Sequence, residues 1–212
     1  SRPAGDGLPD SDSPLLLEEE MTRYQSVAGR VNDLALDRPD IQYSSKELMR
    51  HMSEPHEVDL ASLKRAARYL KGAPRAVLRF MWGAPPPELV GYVDADFAGC
   101  TATRKSTSGG AIFWGTTCLK TWSKTQPTLA LSSGESELAA VVRGATEILG
   151  MQSVCRDFGI EPSLVLRSDS TAAIGIAGRE GLGKVRHLAT ADLWIQQRIR
   201  RGEFTIAKWP GQ

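Results

Sequence analysis

Apolar positions recur at three- and four-residue steps over the first third of the chain, then change to strand-like runs. Val27, Val31, Leu34 and Ala35 keep helical spacing until Arg38-Pro39-Asp40 interrupts it, because the residue before a proline is pushed out of the α region. Ile41 to Met52 reads as a second helix. Glu57 to Leu70 reads as a third, with Leu60, Leu63, Ala67 and Leu70 on one face and Lys64, Arg65 and Arg68 on the other. Gly72-Ala73-Pro74 stops it, and Gly83-Ala84-Pro85-Pro86-Pro87 forms a stiff linker. Beyond the linker, Leu89 to Phe97 reads as a strand. Gly109 to Trp114 and Cys118 to Ser123 form a hairpin around Gly115-Thr116-Thr117. Ser132-Ser133 caps a helix to about Phe158, with Leu138, Val141, Val142, Ala145, Ile148 and Leu149 on one face. Leu164-Val165-Leu166 is a continuously apolar strand of the kind buried on both faces. A short helix ending near Gly178, a helix over Leu188 to Arg201 and a strand over Phe204 to Trp209 complete the order βββ-α-β-α-α-β. This order predicts an α/β fold, a mixed sheet with helices packed on it.

Four segments follow: a flexible acidic lead-in over 1–20, a small helical segment over 21–82, the linker over 83–87 and the sheet domain over 88–212. At 212 residues with 41% hydrophobic and 24% charged, the composition is that of a globular protein and excludes collagenous or wholly disordered classes. No apolar run approaches the roughly 20 residues of a membrane span, so no membrane partner is expected. The three cysteines, Cys100, Cys118 and Cys155, lack CxxC spacing, which predicts buried reduced thiols, an intracellular protein and no structural zinc. The net charge of +1 is unevenly spread: −5 over residues 1–20, +4 over 41–80 and +4 over 181–212. Candidates for phosphate contacts are Lys64, Arg65, Arg68 and Arg186 in the two basic sections, with Arg104 and Lys105 outside them.

The acidic residues add candidate chemistry. Asp94 and Asp96 share one face near the end of the first strand, and Asp169 ends the central apolar strand. Sites in open α/β sheets form at such carboxyl ends. Glu135 and Glu137 lie at the start of the long helix, and spacing alone leaves the choice between them open. Three carboxylates without His or Cys make a hard oxygen site suited to Mg²⁺ or Mn²⁺. Two such ions about 4 Å apart can drive phosphodiester hydrolysis. The competing reading is capping: an Asp after a strand and a Glu in a first helical turn are favoured without catalysis.

Four motifs go further than spacing. GYVDADFAG (91–99), RKSTSGG (104–110), WSKTQPTLALSSGESELAA (122–140) and LRSDSTAAI (166–174) together resemble the ribonuclease H domain of copia-type LTR retrotransposon polyproteins. Residues 24–72, from YQSVAGRVNDLALDRPD to AARYLKG, resemble the segment joining the reverse transcriptase to that domain. The resemblance implies a ribonuclease H-like mixed five-stranded sheet with flanking helices. It implies two-metal hydrolysis of the RNA strand of RNA–DNA hybrids during reverse transcription, with Mg²⁺ or a substituting Mn²⁺.

Motif by motif, Asp94 of YVDA, Glu137 of SELAA and Asp169 of RSDS match the family's catalytic, metal-binding carboxylates. His187 is a candidate for proton transfer or product release. Arg104, Lys105 and Arg186 are candidate nucleic-acid contacts. The partners implied are the hybrid and the reverse transcriptase portion of the same polyprotein, inside a cytoplasmic particle or the nucleus. Two departures qualify the match. The sequence stops at Gln212, before the helix that carries the family's fourth acid, and it reads Arg186-His187-Leu188-Ala189 where the family commonly has an acid. Asp192, about one turn on, is a substitute candidate. These departures predict a weak nuclease, and a catalytically impaired or repurposed binding module as the alternative.

Overall fold

Helix α1 (Glu18–Leu34) opens with three glutamates in its first turn, where the helix dipole favours negative charge. It begins inside the stretch read as a flexible lead-in. This computed structural model describes residues 13–100, 102–180 and 194–209. A short 3₁₀ turn (Pro39–Ile41), α2 (Gln42–Arg50) and α3 (Glu57–Gly72) follow, and residues 73–87 carry no helix or strand. Strands β1 (Glu88–Asp96), β2 (Thr107–Trp114) and β3 (Thr117–Thr125) lead into α4 (Ser133–Asp157). The remainder is β4 (Ser163–Ser168), α5 (Thr171–Gly178), α6 (Trp194–Arg200) and β5 (Thr205–Lys208).

The chain forms two compact units that divide between Val77 and Leu78. In the helical unit, Leu16, Tyr24, Ala28, Val31, Ala35, Ile41, Leu48, Leu63 and Ala66 make a core of their own. Two faces differ from the periodicity read in the sequence. α1 buries Tyr24, Ala28 and Val31 while Leu34 is exposed, and α3 buries Ala66 instead of Ala67. The cause in α3 is polar. Asp59 is buried, accepts the His56 backbone N–H at 2.8 Å as a cap and lies 2.6 Å from His51 Nδ1, which turns the helix about its axis. Arg38 is also buried. It donates to both oxygens of Asp40 (2.9 and 2.7 Å) and to the Ala73 carbonyl (3.0 Å), so one guanidinium ties the α1–α2 turn to the end of α3.

The second unit is a five-stranded sheet in the order β3-β2-β1-β4-β5, antiparallel from β3 to β1 and parallel from β1 to β5. This is the ribonuclease H-like mixed sheet with flanking helices. Leu89, Gly91 and Val93 of β1 and Leu164 and Leu166 of β4 alternate onto one face and pack beneath Leu138, Val141, Ala145 and Ile148 of α4. The approach is close because Gly144 lacks a side chain: a Cβ there would overlap Val93 Cγ1. Trp122 is buried, stacked where Gly110 leaves room for its ring, whereas Trp209 is 42% exposed. Trp209 lies on the opposite face of the sheet, edge-on to Tyr92 at 5.0 Å.

Candidate active site

The sheet brings its acids together through register. β1 and β4 run parallel with Tyr92 opposite Arg167, so two residues further on Asp94 and Asp169 leave the same end of adjacent strands. The N-terminus of α4 reaches that end too, since a Cβ on Gly134 would stand 3.4 Å from Ala172 Cβ at the start of α5. Asp94, Glu137 and Asp169 each present an oxygen there, all within 4.8 Å of one another.

The capping alternatives resolve residue by residue. Ser132 caps α4 by accepting the Glu135 N–H at 3.2 Å, and Glu135 closes the turn by accepting the Leu131 N–H at 2.7 Å. Glu135 is therefore committed to the helix start, which separates it from Glu137. At α5 the cap is Ser170, whose hydroxyl accepts the Ala173 N–H at 3.1 Å, so Asp169 is not spent on capping.

Electrostatics set the Glu137 carboxyl apart. Burial, then the nearby Asp94 and Asp169, push its pKa up from 4.5 to about 7, partly offset by a hydrogen bond from the Ala95 backbone N–H. Its Oε2 is buried with no hydrogen-bond partner in the protein. An orphaned buried oxygen beside two further carboxylates, with no nitrogen or sulfur donor in the group, fits a hard divalent cation of the Mg²⁺ or Mn²⁺ type.

The other site candidates are distributed differently. Arg104 and Lys105 lie in the β1–β2 loop, at the same end of the sheet as the acids. Arg104 is exposed with φ 55°, in a tight loop closed by Cys100 N–H to Lys105 O (3.1 Å) and Ala98 N–H to Ser106 Oγ (3.0 Å). Lys64, Arg65 and Arg68 are exposed on α3 in the helical unit. Arg186, His187 and Asp192 lie outside the described residues. None of the three cysteines is in a disulfide, and only Cys100 and Cys155 are buried. Cys118 is half-buried, on β3 at the border of the sheet.

No family model matches the sequence. Among curated proteins, the chain is 29% identical over 188 residues to the retrovirus-related Pol polyprotein from transposon RE1 of Arabidopsis thaliana, covering 87% of this chain and 13% of that one. It is 37% identical over 125 residues to secreted RxLR effector protein 161 of Plasmopara viticola, covering 58% of this chain and 87% of that protein. Over most of its length the chain is thus similar to retrovirus-related Pol polyproteins of plant transposons. It is also 36% identical over 125 residues to the uncharacterized mitochondrial protein AtMg00810 of Arabidopsis thaliana, 59% of this chain and 52% of that protein. The chain thus spans about half the length of that relative and a small fraction of the polyprotein. A solved structure of the foamy viral protease-reverse transcriptase dRH in complex with ds DNA matches 94% of this chain and 33% of its own, with TM-score 0.63 and 15% identity. At that identity the likeness is one of fold.

Proposed function

We propose that this region of the copia-type polyprotein is a metal-dependent ribonuclease H that hydrolyses the RNA strand of RNA–DNA hybrids during reverse transcription. The observation that carries the reading is the meeting of Asp94, Glu137 and Asp169 within 4.8 Å, with Glu137 Oε2 buried and unpartnered. These three residues are the proposed holders of the divalent ions, Mg²⁺ with Mn²⁺ as substitute. When bound, the ions supply the positive charge that a phosphodiester displacement needs at its attacking and leaving oxygens. Asp94 and Asp169, exposed at the strand ends, face the side from which a phosphate backbone approaches. Glu137 retains its proton below about pH 7 in the metal-free protein and gives it up when a cation takes the site. Arg104 and Lys105 supply phosphate contacts on the same side, and Arg186 and His187 complete the proposed set for substrate holding and proton transfer.

The reverse transcriptase portion of the polyprotein is the proposed partner, and the setting is intracellular, a cytoplasmic particle or the nucleus. Among the described residues no helix is long and apolar enough to cross a membrane.

One observation favours a second reading, a repurposed copy that binds without cutting: a relative that matches over 87% of its own length is named as a secreted effector. Cleavage of a labelled RNA–DNA hybrid, with Mg²⁺, with Mn²⁺ and with chelator, tests both. Metal-dependent cuts in the RNA strand that disappear in Asp94→Asn support the nuclease. Hybrid binding without cleavage at any metal concentration supports the binding module.

A further inference from the structure

Gln126 stands in the loop between β3 and α4, in a stretch that carries none of the acids. It is nevertheless 4% exposed. Its side-chain Nε2 donates to Ser108 Oγ at 2.9 Å and to the Ser136 carbonyl at 2.8 Å, and its own backbone N–H donates to the Ser106 carbonyl at 2.8 Å. The orientation of the amide follows from chemistry, since the Ser136 carbonyl only accepts and so must face the nitrogen.

Each end of this bracket lies beside the acid site. Ser108 of β2 is the register partner of Ala95 of β1, the residue after Asp94, whose backbone N–H bonds the Glu137 carboxylate. Ser136 precedes Glu137 in α4. The amide therefore joins β2, the strand paired with the one that carries Asp94, to the helix turn that carries Glu137, with Ser136 next to Glu137 and Ser108 opposite the residue after Asp94. Ser108 is 4% exposed and Ser136 is fully buried, so water cannot replace the bond. Besides it, the first turns of α4 are held to β1 by the Ala95 N–H bond to the Glu137 carboxylate and by apolar contacts further along the helix.

We infer that Gln126 is a positioning residue for the metal site, setting the separation of Glu137 from Asp94 through Ser108 and Ser136. The inference rests on the proposed function for the identity of the ligand, not for the bracket itself. Outer-shell partners of ligating carboxylates are worth roughly 10- to 100-fold in metal affinity.

The test uses the full chain with Gln126→Met, which keeps the shape and removes both donated bonds. Ser108→Ala is a milder second variant that removes one acceptor. Mn²⁺ binding is measured by titration calorimetry well below the melting temperature. Amide hydrogen exchange is followed in chelator over residues 135–138, with 164–166 of β4 as internal reference. Gln126→Met should weaken Mn²⁺ about tenfold or more and speed exchange in the first turns of α4 while β4 keeps its protection. Ser108→Ala should shift both in the same direction by less. Unchanged Mn²⁺ affinity and unchanged exchange in both variants would overturn the inference while leaving hybrid cleavage by the parent intact. A parent chain that neither binds Mn²⁺ nor cuts hybrid would sink the nuclease reading instead, and the exchange data then decide the bracket alone.

Discussion

Asp94 sits at the end of the central strand β1, with its carboxylate within 4.8 Å of those of Glu137 and Asp169. Replacing it with Asn keeps the shape and removes the charge. The expected loss of cleavage exceeds the roughly 100-fold that an outer-shell change costs, and a hybrid-cleavage assay across a Mg²⁺ series measures it. Glu137 makes a different prediction, in pH. Its pKa rises on folding from 4.5 to about 7, so between those values the folded state binds more protons than the unfolded one. The metal-free protein then loses stability as pH rises through that window, and the contribution is fully favourable only below it. The raw shift corresponds to about 3 kcal/mol at ~1.4 kcal/mol per unit. Half-exposed groups are screened, which brings the expected effect to on the order of 1 kcal/mol. Urea unfolding in chelator should show Glu137→Gln more stable than the parent at pH 8 and no more stable at pH 4.5. Equal offsets at both pH values would refute the assignment. Asp40 runs the opposite way. The Arg38 guanidinium holds it down to about 2, so its contribution in the helical unit is present above about pH 4 and fades as pH falls toward 2.

At the scale of elements, α4 carries the largest demand for fit. It lies on β1 and β4 through small residues, and Gly144 faces Val93 with no space for a methyl group. Gly to Ala inside a helix ordinarily stabilises by about 1 kcal/mol through propensity. Here the methyl meets a β-branched side chain with one preferred rotamer, and overpacking costs about 1–3 kcal/mol. The overlap wins. Gly144→Ala is therefore expected to lower the melting temperature despite its better propensity, and to weaken metal binding by lifting the helix that carries Glu137. The cap is the second device at this scale: Ser132→Ala should cost about 1 kcal/mol, measured by thermal unfolding at fixed pH.

Over the whole molecule, the two units can be followed separately by their chromophores. All five tryptophans lie at or beyond Trp82, on the sheet side of the division between Val77 and Leu78. A cation that binds only the folded acid site should raise the fluorescence-detected transition by about 2.7 kcal/mol at 100 times its dissociation constant. The helical unit has its own core and its own polar clamp in Arg38, Asp40 and Asp59. Signals from Tyr69, which donates to Asp40 at 2.8 Å, should thus respond to acid below pH 4 and not to Mg²⁺, which NMR of the full chain can check. A Mg²⁺-dependent shift confined to the helical unit would contradict the proposed metal site.

Much of this was present in the linear order of residues. Element order and type were legible because strand and helix periods differ and because Ser132 and Ser170 announce their helices as caps. The convergence of Asp94, Glu137 and Asp169 was legible through motif resemblance, since YVDA, SELAA and RSDS each keep a carboxylate in its local setting. Spacing alone could not choose between Glu135 and Glu137, because the difference lies in a hydrogen bond to the Leu131 N–H that forms only when the turn closes. Nor could periodicity show that Ala66 faces inward in place of Ala67, since one buried carboxylate, Asp59, turns the helix. Gln126 left no signal in the pattern: a polar residue before a proline reads as loop. Its role comes from three chain segments meeting at one amide, and such long-range coincidence is a property of packing that no local stretch of sequence contains.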